Sequence, residues 1–267
     1  LSISYIFNFK KDKAFSVSTI LSSLAIILGI SILITVMSVM NGFREELVKS
    51  LSGINGDFII YESNDKEISN LQQAYPDAKI VKNYQQRVIT TNDRGIEGLL
   101  MKSMTIEDFY KIPRLNENLF EIENIEESWV FIGTELSRSL DVKVGDSIQI
   151  SIPGSSMTIL GPVLNSHMLQ IKGIFNTGVY DYDKYFIYSN ESYFKNISDY
   201  PVFEVYEGKT KVDFKDLSSM IYDTWSDQNQ SLAQALATEK NVMFIILFFI
   251  ILISSFTIIS NQIFFIK

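Results

Sequence analysis

The sequence has 267 residues, of which 46% are apolar, and a formal net charge of −8. It contains no cysteine and a single histidine, His167, which excludes disulfides, thiolate metal sites, His-based metal clusters and a Ser–His triad. The acidic balance and the lack of a basic stripe argue against a nucleic-acid partner.

The apolar residues concentrate in two uncharged runs, residues 14–43 and 241–266. Either run is long enough for an α-helix to cross a bilayer core of about 30 Å. We therefore predict a transmembrane helix at each run, with a short segment 1–13 before the first and a folded domain over 44–240 between them. A secretory signal peptide is the alternative for the first run, but signal cores span only about 7 to 15 residues.

The charges around the first run predict the orientation in the membrane. Lys10, Lys11 and Lys13 precede it, and the positive-inside rule then places the N-terminus in the cytoplasm. The segment 44–240, with 19 basic and 30 acidic residues, is then predicted to lie on the opposite side of the membrane. The apolar residues in 1–13 favour an amphipathic helix at the inner interface, and a frayed extension of the first helix is the alternative.

Small residues recur within the first predicted transmembrane helix. Ala25 and Gly29 are four positions apart, a spacing that lets a second helix approach closely. We predict helix packing at this pair. Apolar residues continue at a helical spacing beyond the membrane until Gly53 and Gly56, where the helix is expected to end.

Strand-like and helical patterns alternate at both ends of the domain. The strand DFIIYES precedes the helix KEISNLQQAY, and the strand PVFEVYEG precedes a predicted helix over Val212–Tyr222. The β-rich middle contains a predicted helix, Thr134–Leu140. The predicted fold class is therefore a membrane protein in which two transmembrane α-helices flank a mixed α/β domain. Both ends of that domain form an α/β lobe, into which the β-rich middle is inserted.

The segment Pro153–His167 predicts a long hairpin whose tip is apolar. An isolated hairpin cannot bury its own apolar side chains, so the tip predicts contact with a partner or a membrane surface. The alternative is a tip that folds back on its own domain.

Signatures of catalysis and of cofactor binding are absent from the sequence. No phosphate-binding loop occurs, so any ATP is expected to be hydrolysed by another chain. Asp181 and Asp183 flank Tyr182, and their alternation predicts two exposed carboxylates rather than a catalytic pair. The acidic residues in 121–127 lack the spacing of a calcium loop and predict a solvated face. We expect no cofactor, no metal and no enzymatic activity in this chain.

Four stretches resemble the permeases of lipoprotein-releasing ABC transporters, within the MacB/FtsX-type superfamily. They are LGISILITVMSVMNGFREEL, GTELSRSLDVKVGDSIQI, GIFNTGVYDYD and EKNVMFIILFFIILISSFTIIS, in that order along the chain. The resemblance implies a domain with porter-like and sabre-like parts in the bacterial inner membrane. It also implies a permease subunit that extracts lipoproteins from that membrane and hands them to a periplasmic carrier.

The resemblance further implies partners and contact residues. The partners are a cytoplasmic ATPase subunit that binds ATP and Mg²⁺, a second permease subunit, the lipoprotein, the carrier and membrane lipids. The carrier is expected to dock on the hairpin, at Met157, Thr158, Ile159, Leu160, Gly161 and Pro162. The lipoprotein is expected to contact the outer end of the first transmembrane helix, at Met37, Met40 and Phe43.

Permeases of this type continue for two more spans with a cytoplasmic coupling segment, whereas the sequence ends at Lys267. We therefore expect a fragment, a split gene product or a decayed one. The alternative function is an FtsX-type interaction protein that recruits or activates a cell-wall hydrolase, although its outer domain is typically much smaller. A membrane-tethered hydrolase with a carboxylate-only site is a third reading.

Overall fold

The computed structural model describes residues 13–92, 95–120, 122, 125, 129–158, 161–193 and 200–266. The helices are α1 Lys13–Asn55, α2 Asp65–Ala74, α3 Ile106–Lys111, α4 Pro113–Asn116, α5 Thr134–Leu140, α6 Tyr180–Tyr185, α7 Trp225–Gln228 and α8 Gln230–Ile266. The strands are β1 Phe58–Tyr61, β2 Lys79–Asn92, β3 Gly95–Met104, β4 Leu119–Phe120, β5 Val130–Gly133, β6 Ser147–Thr158, β7 Gly161–Phe175, β8 Phe186–Asn190, β9 Val202–Tyr206 and β10 Ile221–Thr224.

The chain divides into two compact units, Leu1–Leu47 with Asn229–Lys267, and Val48–Gln228. The first unit consists of most of α1 together with α8. By length and composition, the stretches Ile26–Asn55 and Gln230–Thr257 could each cross a membrane, with a mean hydropathy of 2.1. The most apolar 18-residue window of each stretch is almost entirely unburied, as expected for apolar surface that faces lipid rather than a protein core.

Six strands of the second unit close into a barrel. β2 pairs with β3, which pairs with β8, then β5, β7 and β6, and β6 pairs back to β2 at Ile89↔Ser151 and Thr90↔Ile150. Alternate residues of each strand point inward, so Ile148, Ile150 and Ile152 of β6 lie in one apolar core. The barrel interior is filled with apolar side chains.

The lobe is a four-stranded antiparallel sheet in the order β10, β1, β9, β2. Helix α2 packs on it through Leu71, and Asn64 caps this helix with a reciprocal hydrogen bond to Glu67. β2 joins the two halves, because residues 79–83 pair with β9 of the lobe and residues 84–92 pair with β3 of the barrel. A β-rich segment is thus inserted into a lobe made from both ends of the domain, which confirms the predicted fold class.

An aromatic cluster fills the space beside the barrel wall. Phe109 of α3 lies 4.8 Å from Phe131 and 5.5 Å from Tyr188, measured between ring centroids. Trp129 stacks on Phe131 at 4.7 Å. All four rings are almost completely buried, and burial of a side chain of this size contributes about 1.5–3 kcal/mol to stability. α3 begins at a side-chain cap, with the Thr105 hydroxyl oxygen accepting from the Asp108 amide.

The predicted helix over Val212–Tyr222 is wrong. The structure has turns followed by β10, which pairs with β1 over its full length. The start of the segment is held by side chains, since Val212 N donates to Glu207 and Asp213 N donates to the Tyr75 hydroxyl. Leu217 is fully buried in the lobe core, so tertiary packing overrides the weak helical pattern.

Candidate functional site

The β6–β7 hairpin projects from the barrel. Its strands pair from Ser147↔Gln170 to Thr158↔Gly161, with an irregularity between Ile152 and Ser156. Among the described residues, β6 pairs with β2 only at its Ile150 and Ser151, so beyond Ile152 the two strands of the hairpin pair only with each other. The hairpin base is therefore fixed in the barrel wall, while its outer part has no neighbouring strand there.

The predicted docking residues lie in this outer part. The backbone pairs Met157 with Pro162 and Thr158 with Gly161 across the hairpin. Ile159 and Leu160 lie outside the described residues, as do the side chains of the other four. These pairs place the backbones of Met157, Thr158, Gly161 and Pro162 together at the outer end of the described hairpin, and contact of the six predicted residues with a carrier stays a prediction.

The predicted lipid-contact residues follow one another along α1. Met37 and Met40 are half-buried, and Phe43 is 57% exposed. A Cβ atom placed on Gly29 would meet nothing within 4 Å, and the side chain of Ala25 lies outside the described residues. Lipid contact at the first three residues and helix packing at the last two therefore stay predictions.

A buried polar junction lies inside the second unit. Lys102 of β3 and Glu204 of β9 form an ion pair with Nζ–Oε1 at 2.6 Å, and the two side chains are 1% and 0% exposed. Lys102 Nζ also donates to Asn55 Oδ1 at 2.7 Å, and Asn55 Nδ2 donates to the Tyr182 hydroxyl at 2.8 Å. Tyr206, two residues after Glu204, places its hydroxyl 2.9 Å from Glu204 Oε2. We call Asn55, Lys102, Tyr182, Glu204 and Tyr206 the junction.

The two tyrosines of the junction stay protonated at neutral pH. Burial raises the pKa of Tyr182 to about 12, and the negative charge of Glu204 adds to the shift. Burial, followed by the same charge, holds the pKa of Tyr206 well above its ordinary value of 10. At neutral pH both phenols therefore stay neutral, so neither adds a negative charge near the buried Glu204 carboxylate, and the Tyr182 hydroxyl accepts from Asn55.

The prediction that Asp181 and Asp183 are both exposed holds for only one of the two residues. Asp183 is buried, whereas only Asp181 is exposed. The Asp183 carboxylate accepts from Thr177 N at 2.7 Å, from Thr177 Oγ1 at 2.8 Å and from Gly178 N at 3.2 Å. Burial raises the pKa of Asp183, and these hydrogen bonds partly offset the rise. The predicted exposure of both carboxylates was wrong because residues 180–185 form a helix, where alternation does not hold.

Sequence reasoning missed the junction, although a signal was present. Lys102 interrupts the apolar run LLMKSM and Glu204 interrupts VFEVY, so a strand at each place buries a charge. Two opposite charges inside apolar strands of one domain favour a buried pair. The predicted solvated acids at 121, 123, 126 and 127 lie outside the described residues. Within the part of the chain that the structure describes, no three His, Asp or Glu side chains gather as a metal site.

Two helices long and apolar enough to cross a membrane flank one barrel-and-lobe domain in the sequence, which is the organisation of a membrane protein with one large domain between its spans. The model of the MacB-like periplasmic core domain family matches residues 19–210. Because this match takes in more than half of the chain, the protein belongs to that family.

Curated relatives resemble nearly the whole chain. The lipoprotein-releasing system transmembrane protein LolC of Neisseria meningitidis serogroup B is 24% identical over 98% of this chain and 68% of its own length. LolC of Buchnera aphidicola subsp. Schizaphis graminum is 28% identical over 96% of this chain and 67% of its own length. Together with the family match, these similarities identify an ABC-transporter permease of the LolC/MacB-like type in the inner membrane. Such subunits are not themselves catalytic, and the FtsX-type alternative is not favoured.

Two solved structures are also similar. The extracellular domain of the noncanonic ABC-type transporter YknZ from Gram-positive bacteria matches 61% of this chain and 86% of that domain, at 10% identity and a TM-score of 0.37. A domain of a putative permease protein from Porphyromonas gingivalis matches 60% of this chain and 67% of its own, at 11% identity and a TM-score of 0.34.

Proposed function

We propose that this chain is a permease subunit that takes lipoproteins out of the inner membrane and hands them to a soluble periplasmic carrier. The observation that supports this most is the similarity of 96–98% of the chain to LolC proteins of lipoprotein-releasing systems. In this proposal the chain performs no covalent chemistry. Its work is mechanical, and its outer domain transmits motion to the cargo and the carrier.

The energy comes from a separate subunit. The sequence has no phosphate-binding loop, so ATP and Mg²⁺ are assigned to a cytoplasmic ATPase partner. A second permease subunit completes the membrane part, and Ala25 with Gly29 offers it a close approach on α1. Lys10, Lys11 and Lys13 keep the N-terminus in the cytoplasm, which puts the barrel and the lobe in the periplasm.

The hairpin tip is the proposed docking site for the carrier. The hairpin that carries residues Met157 to Pro162 has a base whose register is fixed by pairing with β2 and β5. A fixed base lowers the entropy lost when the tip binds, because the strands are already ordered. The tip sequence MTILGP carries no charge, so the contact it offers is apolar.

Met37, Met40 and Phe43 are the proposed contacts for the lipoprotein's acyl chains. Methionine side chains are unbranched and adapt to irregular apolar partners, which suits a site that binds chains of varied length. Phe43 is the last apolar residue before the charged stretch that begins at Arg44, so it marks the outer end of the span.

Site-specific photocrosslinking in living cells tests the docking claim. A photoreactive amino acid at Met157 or Leu160 is expected to capture the periplasmic carrier. Met168 is the matched control, because it is a methionine on the same hairpin, 66% exposed, and paired with Gln149 near the base. Carrier capture at the tip and little at Met168 supports the proposal. Equal capture at both sites, or none at the tip, contradicts it.

A further inference from the structure

The C-terminal end of α1 is buried in the second unit. Residues 48–55 belong to that unit, and within them Ile54 is fully buried and Leu51 nearly so. Gly56 then turns the chain with φ of +80°, and a Cβ atom there would lie 2.9 Å from Val205 O. The Asp57 amide donates to that same carbonyl at 2.8 Å. The membrane helix therefore ends against strand β9.

Polar groups also hold this helix end, and each comes from a different element. Asn55 accepts from Lys102 of β3 in the barrel and donates to Tyr182 of α6. The Tyr206 hydroxyl lies 2.9 Å from the backbone oxygen of Ile54, in the last turn of α1. Glu204, on the same lobe strand as Tyr206, pairs with Lys102. One residue of the helix is thus tied to the barrel and, through a single lysine, to the lobe.

A buried ion pair commonly adds little net stability to a folded protein. The cost of removing both charges from water commonly equals or exceeds their attraction, and apolar replacements of similar volume are often neutral or stabilising. A charge-assisted hydrogen bond is directional, because its strength falls steeply when the donor and acceptor move out of line. Apolar contacts such as those of Ile54 are not directional and permit sliding.

We propose that Asn55, Lys102 and Glu204 are positioning residues that fix the end of α1 to the barrel and the lobe together, so that a displacement of the membrane helix moves both halves of the domain. This inference rests on the proposed mechanical function. It adds the residues through which the motion passes and assigns the junction a role in force transmission.

Hydrogen exchange on the full chain in lipid nanodiscs measures the fixation directly. Asn55→Ala removes both side-chain bonds at a half-exposed position, and the paired change Lys102→Met with Glu204→Leu keeps the site filled and uncharged. We expect the amides of residues 51–55 to exchange at least tenfold faster in both variants. Lys82→Met is the control, because it breaks the exposed pair of Lys82 with Asp65, and it is expected to leave this exchange unchanged.

The rate of lipoprotein release in cells tests whether motion of the membrane helix reaches the outer domain. We expect Asn55→Ala to lower the release rate at least fivefold while carrier capture at Met157 stays at the level of the parent chain. Asn55→Gln keeps an uncharged amide that can accept from Lys102 and donate to Tyr182, so it is expected to retain most of the release. A merely structural role would predict loss of folded protein and of carrier capture together.

Two results would overturn the inference. One is unchanged exchange of residues 51–55 in both variants, and the other is release at the parental rate once that exchange is faster. Failure of the proposed function looks different, because the parent chain itself would then support no lipoprotein release. The exchange measurement does not depend on transport and tests the fixation in either case.

Discussion

The backbone of Asp183 lies so close to Gly133 that a Cβ atom on Gly133 would be 2.1 Å from the Asp183 carbonyl oxygen. Gly133 ends β5 and caps α5, whereas Asp183 lies in α6. The two stretches GTELSRSL and NTGVYDYD, 43 residues apart at their first letters, therefore pack against each other. This contact explains in physical terms why the first of them begins with a glycine.

Gly133→Ala is expected to destabilise the domain strongly, because backbone atoms of Asp183 occupy the space of the new methyl group. We expect a loss of about 3 kcal/mol or more, which lowers the melting temperature by roughly 6–12 °C in a domain of this size. Gly98→Ala in β3 is the matched control, since nothing lies within 4 Å of its Cβ position. Thermal unfolding followed by circular dichroism measures both, and similar melting temperatures for the two variants would contradict the packing described.

Removing one partner of the buried ion pair is expected to cost more than removing both. Lys102→Met leaves Glu204 charged and buried, and we expect a loss of about 3–5 kcal/mol in the free energy of unfolding. The double change Lys102→Met with Glu204→Leu is expected to recover at least half of that loss. Lys82→Met, at an exposed pair, should cost under about 1 kcal/mol. Urea unfolding measures the free energy of unfolding of the parent chain and of the three variants. A double variant no more stable than Lys102→Met would contradict the account.

The buried tyrosines predict loss of stability in alkali. The pKa of Tyr182 is about 12 in the folded protein and about 10 in an unfolded chain. The folded state therefore holds this proton as pH rises above 10, so stability is complete below pH 10 and is lost between pH 10 and about 12. One such group corresponds to roughly 3 kcal/mol over that interval.

Tyr182→Phe tests this dependence. Urea unfolding at pH 8 and at pH 11 is expected to show a smaller loss of stability on raising the pH in the variant than in the parent chain. Tyrosinate absorbance supplies a second measurement, because Tyr182, Tyr188 and Tyr206 should ionise above the range of the unfolded chain. Coincident titration of all 13 tyrosines near pH 10 in the folded protein would be the opposite result.

Phe43→Asn is expected to reduce lipoprotein release severalfold without reducing the amount of protein in the membrane. The reason is that an amide at this position weakens the proposed apolar contact with acyl chains. Val39→Asn is the control, because Val39 lies on the same helix and is 67% exposed. Release assayed in cells separates the two, and an equal reduction by both changes would show that Phe43 has no special contact.

The sequence predicted those elements whose pattern is local. The apolar run at residues 14–43 lies within the long helix Lys13–Asn55, and the helix Thr134–Leu140 has its predicted bounds. Closure of the barrel could not be predicted, because it depends on β6 pairing with β2 from more than 50 residues earlier in the chain. The same applies to β10, whose strand conformation comes from its pairing with β1.

Of the two candidate sites, the hairpin could be predicted from the sequence and the junction could not. The hairpin was predictable because its two strands are adjacent in sequence and its tip is apolar. The Lys102–Glu204 pair joins residues 102 positions apart, so single-sequence patterns indicate the burial of each charge but not the identity of its partner. Asn55 has no sequence signal at all, since an asparagine near the end of a helix is ordinarily explained as a local cap.

Depletion of the chain in the bacterium that encodes it, followed by fractionation of the membranes, tests the central claim most directly. The account predicts that lipoproteins normally released from the inner membrane accumulate there, and that the parent gene restores their sorting. Normal lipoprotein sorting in depleted cells that instead grow as filaments would contradict it and would favour a role in cell-wall hydrolysis.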